Sequence, residues 1–421
     1  LQRTEHINSF LVMTETKLAP LKKEQKVPVL RFPEFEGTSY KKGLLLEFCE
    51  INPTNGELPD DFIYIDLECV NAGRLEKVKE IDKSEAPSRA QRVLQFGDIL
   101  FQTVRPYQKN NYHFKLNGDY VASTGYAQIR IINCPEFFYQ IIHTDKFVNK
   151  VLSRCTGTSY PAINSNDLKK IPIYIPTLPE QQKIASFLTA VDARIQLLQA
   201  KKEKLEDYKK GVMQQIFSQE IRFRYENGES FPDWEEKKIK DLFDGIKGKG
   251  LSKDKLVESG KYKCILYGEL YTTYKELISE IKSFTNDKEG VLSKTGDLLV
   301  PCSTTTSGID LANVTALNED NVLLGGDMTI MRAKQAADNV YFAYYLSNFK
   351  KYEIAKFGQG ITIVHLYFSH FKELSIQVPS LAEQQKIAAF LSSIDEQFER
   401  LEKKIEKSKA FKKGLLQKMF V

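Results

Sequence analysis

Four polar stretches carry small hydrogen-bonding side chains, three of them mixed with cations. In the first half these are Lys83-Ser-Glu-Ala-Pro-Ser-Arg89-Ala-Gln-Arg92 and Arg105-Pro-Tyr107-Gln-Lys109-Asn110-Asn111-Tyr112. In the second half they are Lys247-Gly-Lys249-Gly-Leu-Ser252-Lys253 and Ser303-Thr304-Thr305-Thr306. Arginine and lysine can donate to guanine edges, asparagine can pair with adenine, and threonine methyls can touch thymine. Glycine-rich backbone can approach a phosphate closely. The candidate DNA contacts are therefore Arg89, Arg92, Arg105, Tyr107, Lys109, Asn110, Asn111, Lys247, Lys249, Lys253, Ser303, Thr304, Thr305 and Thr306. A solvated polar loop is the competing reading of each. Position separates the two readings. Arg105–Tyr112 and Ser303–Gly308 follow matched Gly-Asp segments in the two halves, yet their sequences differ completely.

Other chemistry lacks its residues. Gly245-Ile-Lys-Gly-Lys-Gly250 does not fit the phosphate-loop pattern. Asn52-Pro53-Thr54-Asn55 lacks the second proline and the aromatic that a base-flipping adenine methyltransferase needs. Asp60, Asp66 and Glu68 bracket an expected strand without the Glu-x-Lys of a nuclease metal site. His113, His143, His365 and His370 form no metal spacing, and the six cysteines contain no C-x-x-C pair. No catalytic residue and no metal ligand is expected.

Composition is that of a globular protein, with 42% hydrophobic, 11% aromatic and 27% charged residues. Sixty Lys and Arg against fifty-five Asp and Glu leave +5, which is compatible with a polyanionic partner. Apolar runs such as Leu44–Leu46 fall far short of the roughly 20 residues of a membrane span. The first residues lack the apolar core of a secretion signal. The expectation is a reduced, cytoplasmic protein. Met13 is a more natural start than Leu1, and residues 1–26 are expected to be a poorly ordered extension.

The elements that must position the four loops come in two copies. Leu178-Pro-Glu-Gln-Gln-Lys-Ile-Ala-Ser-Phe-Leu188 returns as Leu381-Ala-Glu-Gln-Gln-Lys-Ile-Ala-Ala-Phe-Leu391. At the same offset Asp192 matches Asp395, Lys209-Lys210-Gly211 matches Lys412-Lys413-Gly414, and Gly157 matches Gly360. Upstream, Gly97-Asp98 answers Gly296-Asp297, and Arg31-Phe-Pro-Glu-Phe35 answers Ser230-Phe-Pro-Asp-Trp234. The period is too long for a solenoid, so this is a duplicated unit.

Each copy ends in a helical pattern. Thr177-x-x-Glu180 and Ser380-x-x-Glu383 read as capping boxes. Apolar residues then recur at alternating spacings of four and three, as at Ile184, Leu188, Val191, Ile195 and Ile387, Leu391, Ile394, Phe398. Lys202, Lys209, Ser408 and Lys412 interrupt the stripes, with Tyr208 and Phe411 expected to take over the seam. A helix of about 38 residues is on the order of 57 Å long and cannot bury such a stripe alone. The two helices are expected to pair antiparallel, with a globular part at each end. The globular parts mix strand signals, such as Phe62–Leu67, Tyr120–Ser123, Ala127–Ile132 and Ile171–Ile175, with helices over Phe137–Leu152 and Val340–Ala355. Each is expected to carry a small, largely antiparallel sheet.

These motifs together resemble the specificity (S) subunit of type I restriction–modification enzymes. The resemblance runs from about Val27 to Val421, most specifically through the two Glu-Gln-Gln-Lys-Ile-Ala-x-Phe-Leu blocks and the helices after them. It implies an α+β fold with two pseudo-twofold-related α/β target recognition domains, separated by an antiparallel two-helix coiled coil. The expected divisions are residues 1–26 as extension, 27–176 as the first recognition domain, 177–220 as the central conserved helix, 221–378 as the second recognition domain and 379–421 as the C-terminal conserved helix. It implies a non-catalytic subunit that reads a bipartite site on double-stranded DNA. Two methyltransferase (M) subunits would bring S-adenosylmethionine and N6-adenine chemistry. Two restriction (R) subunits, with ATP and Mg, can add to that core. Glu180, Gln181, Phe187, Glu383, Gln384 and Phe390 would meet the partner subunits, although helix capping accounts equally well for the polar ones. The alternatives are a coiled-coil interaction scaffold and a divergent methyltransferase or nuclease.

Overall fold

The computed structural model describes residues 27–54 and 56–421. The 1–26 extension, Met13 within it, and Asn55 lie outside the described residues. The chain divides into two compact units, Leu1–Leu197 with Ile405–Val421, and Leu198–Lys404. Each of the two long helices, Leu178–Phe217 and Leu381–Met419, contributes one part to each unit.

The first unit holds two four-stranded sheets rather than the single sheet expected from sequence. One runs in the order Lys79–Asp82, Asp61–Ile65, Tyr120–Ser123, Ala90–Val93, with its middle pair parallel. The other runs Glu50–Ile51, Tyr126–Arg130, Ile99–Gln102, Tyr112–His113 and is antiparallel. Ile99–Gln102 is buried at every position, its apolar run Ile99–Phe101 fitting a strand with both faces covered. A two-strand clasp, Lys41–Leu44 against Pro172–Ile175, closes the unit just before the first long helix. The expected helix over 137–152 is two helices, Pro135–Ile141 and Asp145–Leu152. Thr144 breaks the run because its hydroxyl accepts from the Phe147 amide (3.2 Å) and starts the second. Ile184 and Leu188 of one long helix share a core with Leu415 and Met419 of the other and with Phe101, Ile129 and Phe137.

The second unit repeats the plan with longer sheets. The strands Phe243–Lys247, Met328–Ala333, Asp297–Pro301, Thr315–Leu317 and Leu277–Ile278 form one of two five-stranded sheets. Its clasp is Glu235–Lys238 against Ser375–Val378. The expected 340–355 helix starts as Asn339–Tyr344, passes through a π-helical turn at Tyr345–Phe349 and resumes at Lys351–Ala355. Val212, Ile216, Ile387, Leu391, Ile394 and Phe398 lie in one core with Tyr341 and Tyr345. The stripes therefore bury themselves against the globular part as well as against each other, at about 1.5–3 kcal/mol for each large aliphatic side chain.

The lysines in the stripes are ties between the helices. Lys202 pairs with Glu402 and Lys209 with Asp395, both at 2.6 Å, and the opposed numbering makes the helices antiparallel in this unit. In the first unit Lys412 meets Asp192 at 2.6 Å, the same pair with the helices exchanged. Tyr208 and Phe411 do not enter the seam and are 53% and 57% exposed. A lysine stem covers apolar surface while its ammonium reaches a carboxylate, and the next residue points about 100° away.

The upstream echo also shifts. Tyr40 and Trp234 sit immediately before the matched clasp strands. The Tyr40 hydroxyl donates to Glu180 (3.0 Å) and the Trp234 indole to Glu383 (3.1 Å). Trp234 thus stands where Tyr40 does, not where Phe35 does. The partner of Arg31 is Arg222, not Ser230. Each guanidinium clamps its own helix's glutamate, and each following phenylalanine packs on a helix phenylalanine, Phe32 on Phe187 and Phe223 on Phe390.

Candidate nucleic-acid interface

The strand that leads into each of two candidate loops, Arg105–Tyr112 and Ser303–Thr306, starts at or just after a buried aspartate. Asp98 accepts from the Gln95 amide (2.7 Å), from Gln128 Nε2 (2.7 Å) and from Arg130 Nε and Nη2 (2.8 Å each). Asp297 accepts from the Lys294 amide (2.8 Å) and from Arg332 Nε and Nη2 (2.8 and 2.7 Å). Both aspartates are 1% exposed. A two-pronged, charge-assisted pair of this kind fixes orientation as well as energy. The aspartate hydrogen bonds hold both Arg130 and Arg332 above the usual guanidinium range.

The segments that leave these strands are docked by matching hydrogen bonds. Thr156 and Ala162 exchange two backbone bonds of 2.9 Å, and the Ile163 amide donates to Thr103 O at 3.0 Å. Gln359 and His365 exchange two bonds of 2.9 and 2.7 Å, and the Leu366 amide donates to Cys302 O at 2.9 Å. Residues 103–105 and 302–304 are therefore equivalent, as are loops 156–162 and 359–365. Each loop turns on a glycine with positive φ, Gly157 at +86° and Gly360 at +125°. A β-carbon there would come within 3.1 Å of Tyr160 O and 2.0 Å of Ile363 O respectively.

In the first unit the structure brings two of the predicted stretches together. The Thr124 amide donates to Arg89 O (2.9 Å), and the Thr103 amide donates to Gly125 O (3.1 Å), so this turn lies between the Arg89 and Arg105 segments. Arg89 is exposed, and Arg92 is half-buried, with burial lowering its pKa and no partner on its Nε. The Arg105 guanidinium lies 4.2 Å from the centre of the Tyr160 ring. Tyr107 is 49% exposed.

Lys109, Asn110 and Asn111 turn to other partners. Lys109 donates to His143 O (2.9 Å) and pairs with Asp145 (2.6 Å). Asn110 Oδ1 accepts from the Ala72 amide, and Asn111, 1% exposed, accepts from the Gln102 amide. These three brace the loop instead of presenting it, because a left-handed residue at Lys109 folds the chain back onto its own sheet. His143 Nδ1 lies 2.6 Å from Tyr139 O, and burial pushes this imidazole down to about 4. His113, with Nε2 sealed from water, is also pushed down to about 4, chiefly by burial.

In the second unit Lys247, Lys249 and Lys253 are exposed, and Lys247 lines a cleft of about 490 Å³ with Cys302, Thr329, Tyr367 and Lys372. Burial pushes the Cys302 thiol up to about 11. Ser303 and Thr304 are buried, and their hydroxyls bond to Asp327 and Thr306. Thr305 and Thr306 are exposed, with the Thr306 hydroxyl donating to Asp310. Sequence reasoning missed Tyr160, Tyr367 and Lys372. The matched Gly157 and Gly360 were the available signal for Tyr160, since a loop that returns in both copies invites comparison of its tip.

The six residues expected at partner interfaces divide sharply. Glu180 and Glu383 are 0% exposed and belong to the arginine clamps, Arg31 with Tyr40 and Arg222 with Trp234. Their carboxylates do not turn back as capping boxes. Of the expected boxes only the Ser380 half is made, the Glu383 amide donating to Ser380 Oγ (3.4 Å), while the Gln181 and Gln384 side chains donate to Pro176 O (2.9 Å) and Pro379 O (2.8 Å) and tie each helix start to the preceding strand end. Only Phe187, 37% exposed, and the half-buried Phe390 still offer surface.

Among the described residues no helix is long and apolar enough to cross a membrane, and no three His, Cys, Asp or Glu side chains are grouped to hold a metal ion. A family model, the type I restriction modification DNA specificity domain, matches residues 45–207 and again 232–408. The type I restriction enzyme MjaVIII specificity subunit of Methanocaldococcus jannaschii is 25% identical over 293 residues, covering 66% of this chain and 67% of that protein. A solved type I restriction-modification S subunit from M. genitalium aligns over 94% of this chain and 99% of its own, with 15% identity and a TM-score of 0.59. A chain solved in work on complex assembly and conformational transition of the type I R-M system aligns over 90% and 97%, with 22% identity and a TM-score of 0.56. The structural likenesses bear on fold alone.

Proposed function

The chain belongs to the type I restriction–modification DNA specificity family, and from that membership we propose that each unit reads one half of a bipartite site on double-stranded DNA. The observation that carries this reading is the twice-built scaffold. Two loops are docked by matching hydrogen bonds yet carry unrelated side chains, as two readers of two different sequences would. The scaffold-only and divergent-enzyme readings leave that pairing of constancy and difference unexplained.

The chain is a specificity subunit and not itself catalytic. Lysines and arginines supply phosphate contacts, and these make affinity fall steeply with salt. Base-edge contacts supply selectivity of about 1–3 kcal/mol for each good bidentate pair. The long helices, 40 and 39 residues, fix the gap between the half-sites. Two M subunits, docked on helix surface that includes Phe187 and Phe390, bring S-adenosylmethionine and methylate adenine N6. Two R subunits, with ATP and Mg, join when cleavage occurs. The complex acts in the cytoplasm.

Mapping N6-methyladenine across a genome tests this, with the M subunits present and this chain present or deleted. The expected result is a split motif methylated only when the chain is present. An unchanged methylation map on deletion contradicts the proposal.

A further inference from the structure

If the two units are DNA readers, particular side chains in each must discriminate bases. Resting on that reading, we propose that the loops 156–162 and 359–365, each with the residue docked beside it, are the base-discriminating tips. Arg105 braced on Tyr160 takes a guanine in one half-site, and Ile361 with Ile363 takes thymine methyls in the other.

Equivalence of the two tips comes from backbone bonds alone. The bonds that join 156 to 162 and 163 to 103 recur as those joining 359 to 365 and 366 to 302. Counting outward from them, Arg105 stands where Thr304 does, and Tyr160 where Ile363 does. The positive φ of the glycine at the base of each loop strains any side chain there, and at Gly360 a β-carbon would also meet backbone at 2.0 Å, so each backbone path is held by its glycine while the tip carries its own side chains. This is the division of labour that a changeable reader on a constant scaffold needs.

The chemistry of the tips differs in kind. Arg105 adopts a left-handed backbone (φ 52°), and its amide donates to Pro161 O at 2.8 Å, which ties it to the loop. Its guanidinium stacks on Tyr160, which is 63% exposed. Among the described residues that guanidinium makes no hydrogen bond, and its Nε is buried without a partner. A flat, pre-aimed fork with unused donors suits the O6 and N7 acceptors of guanine. Arg130, at the other end of the strand pair, is by contrast engaged by Asp98. In the second unit the corresponding Thr304 is buried and its hydroxyl is taken by Thr306. Ile361 is 100% exposed and Ile363 47% exposed, on either side of Thr362. Two isoleucines bared on a loop held rigid by its own backbone have no polar edge to read. Their match is the C5-methyl of thymine in the major groove.

The test uses the full chain with its M subunits and reads the methylated motif genome-wide. Arg105→Ala is expected to relax discrimination at one position of one half-site by on the order of ten-fold, leaving the other half and the gap unchanged. Ile361→Ser with Ile363→Ser is expected to do the same in the opposite half. Tyr160→Phe keeps the stacking face and is expected to keep the wild-type motif. Co-elution with M subunits and an unchanged far-UV circular dichroism denaturant transition establish that a variant is folded, with Trp234 fluorescence as a further check on the second unit. If Arg105→Ala fails that check, Arg105→Lys replaces it. That variant keeps the charge without the fork and is expected to weaken the same position. The proposal is overturned if folded variants keep the wild-type preference at every position. It is also overturned if they lose methylation equally at all sequences, the mark of a phosphate contact or a partner-docking surface. A wild-type chain on which no methylation depends would instead sink the reading of the units as DNA readers.

Discussion

The two units use one set of anchors and two sets of tips. Asp98 with Arg130 and Asp297 with Arg332 are the same buried fork. Arg31 with Glu180 and Arg222 with Glu383 are the same clamp at a helix start. Lys412 with Asp192 and Lys209 with Asp395 are the same tie between helices. Beyond these, the units diverge. The first packs its helix layer around Tyr139 and His143, the second around a stack of Tyr341, Tyr345 and Phe349. What the comparison teaches is that charged pairs at fixed places hold the architecture, which frees the rest of each unit to drift toward its own target.

The sharpest way to break that comparison is to remove one arginine clamp at a time. Arg31→Ala leaves Glu180 as a buried charge with only Tyr40, and is expected to destabilise the first unit by about 3–5 kcal/mol. Arg222 is more exposed than Arg31, at 23% against 9% of its side chain, so Arg222→Ala is expected to cost the second unit less. Limited proteolysis mapped to each unit checks the order. Equal and negligible effects would remove the clamps from the account.

Acid separates the units next. His113 and His143 titrate at about 4 when folded against about 6.5 unfolded. Between those values the unfolded chain binds more protons, so stability is full above pH 6.5 and is lost as pH falls toward 4. The loss is at most about 3 kcal/mol for each histidine. Trp234, the one tryptophan, lies in the second unit. At pH 5 far-UV circular dichroism is expected to show an earlier denaturant transition while the Trp234 fluorescence midpoint moves little.

Smaller effects sharpen the comparison at the loops and the seam. Gly360→Ala is expected to disturb the second half-site more than Gly157→Ala disturbs the first, because its β-carbon would meet backbone at 2.0 Å instead of 3.1 Å. Methylation-motif mapping reads both. Double-mutant cycles on Lys412 with Asp192 and Lys209 with Asp395 are expected to give similar couplings, about 1 kcal/mol or less, since both pairs are partly solvated.

Much of the architecture was legible because it is written in long-range repetition. The blocks at Glu180 and Glu383 located both long helices, and the 4-3 apolar spacing gave their buried faces. Lys209 and Lys412 were misread as gaps, because apolar periodicity cannot see that each lies opposite an aspartate. Glu180 and Glu383 looked like local caps because the arginines that claim them are far away in sequence, 149 residues for Arg31. Of the loop candidates, Arg105 lies beside the 156–162 loop with its guanidinium over Tyr160. Asn111 instead braces its own sheet, and the sequence could not show it, because nothing in a polar loop's composition tells a side chain that faces outward from one that satisfies its own backbone. Tyr160 was passed over because its partner Arg105 comes from a different segment.

The most direct test of two independent readers on one scaffold is to make them the same. Residues 235–378 are replaced by residues 41–175, the two segments bounded by the matched clasps, and the methylated motif is mapped with the M subunits present. The account predicts a motif in which the first unit's half-sequence occupies both halves and the second unit's half-sequence is gone. A folded, assembled chain that still methylates the original second half-sequence would contradict it.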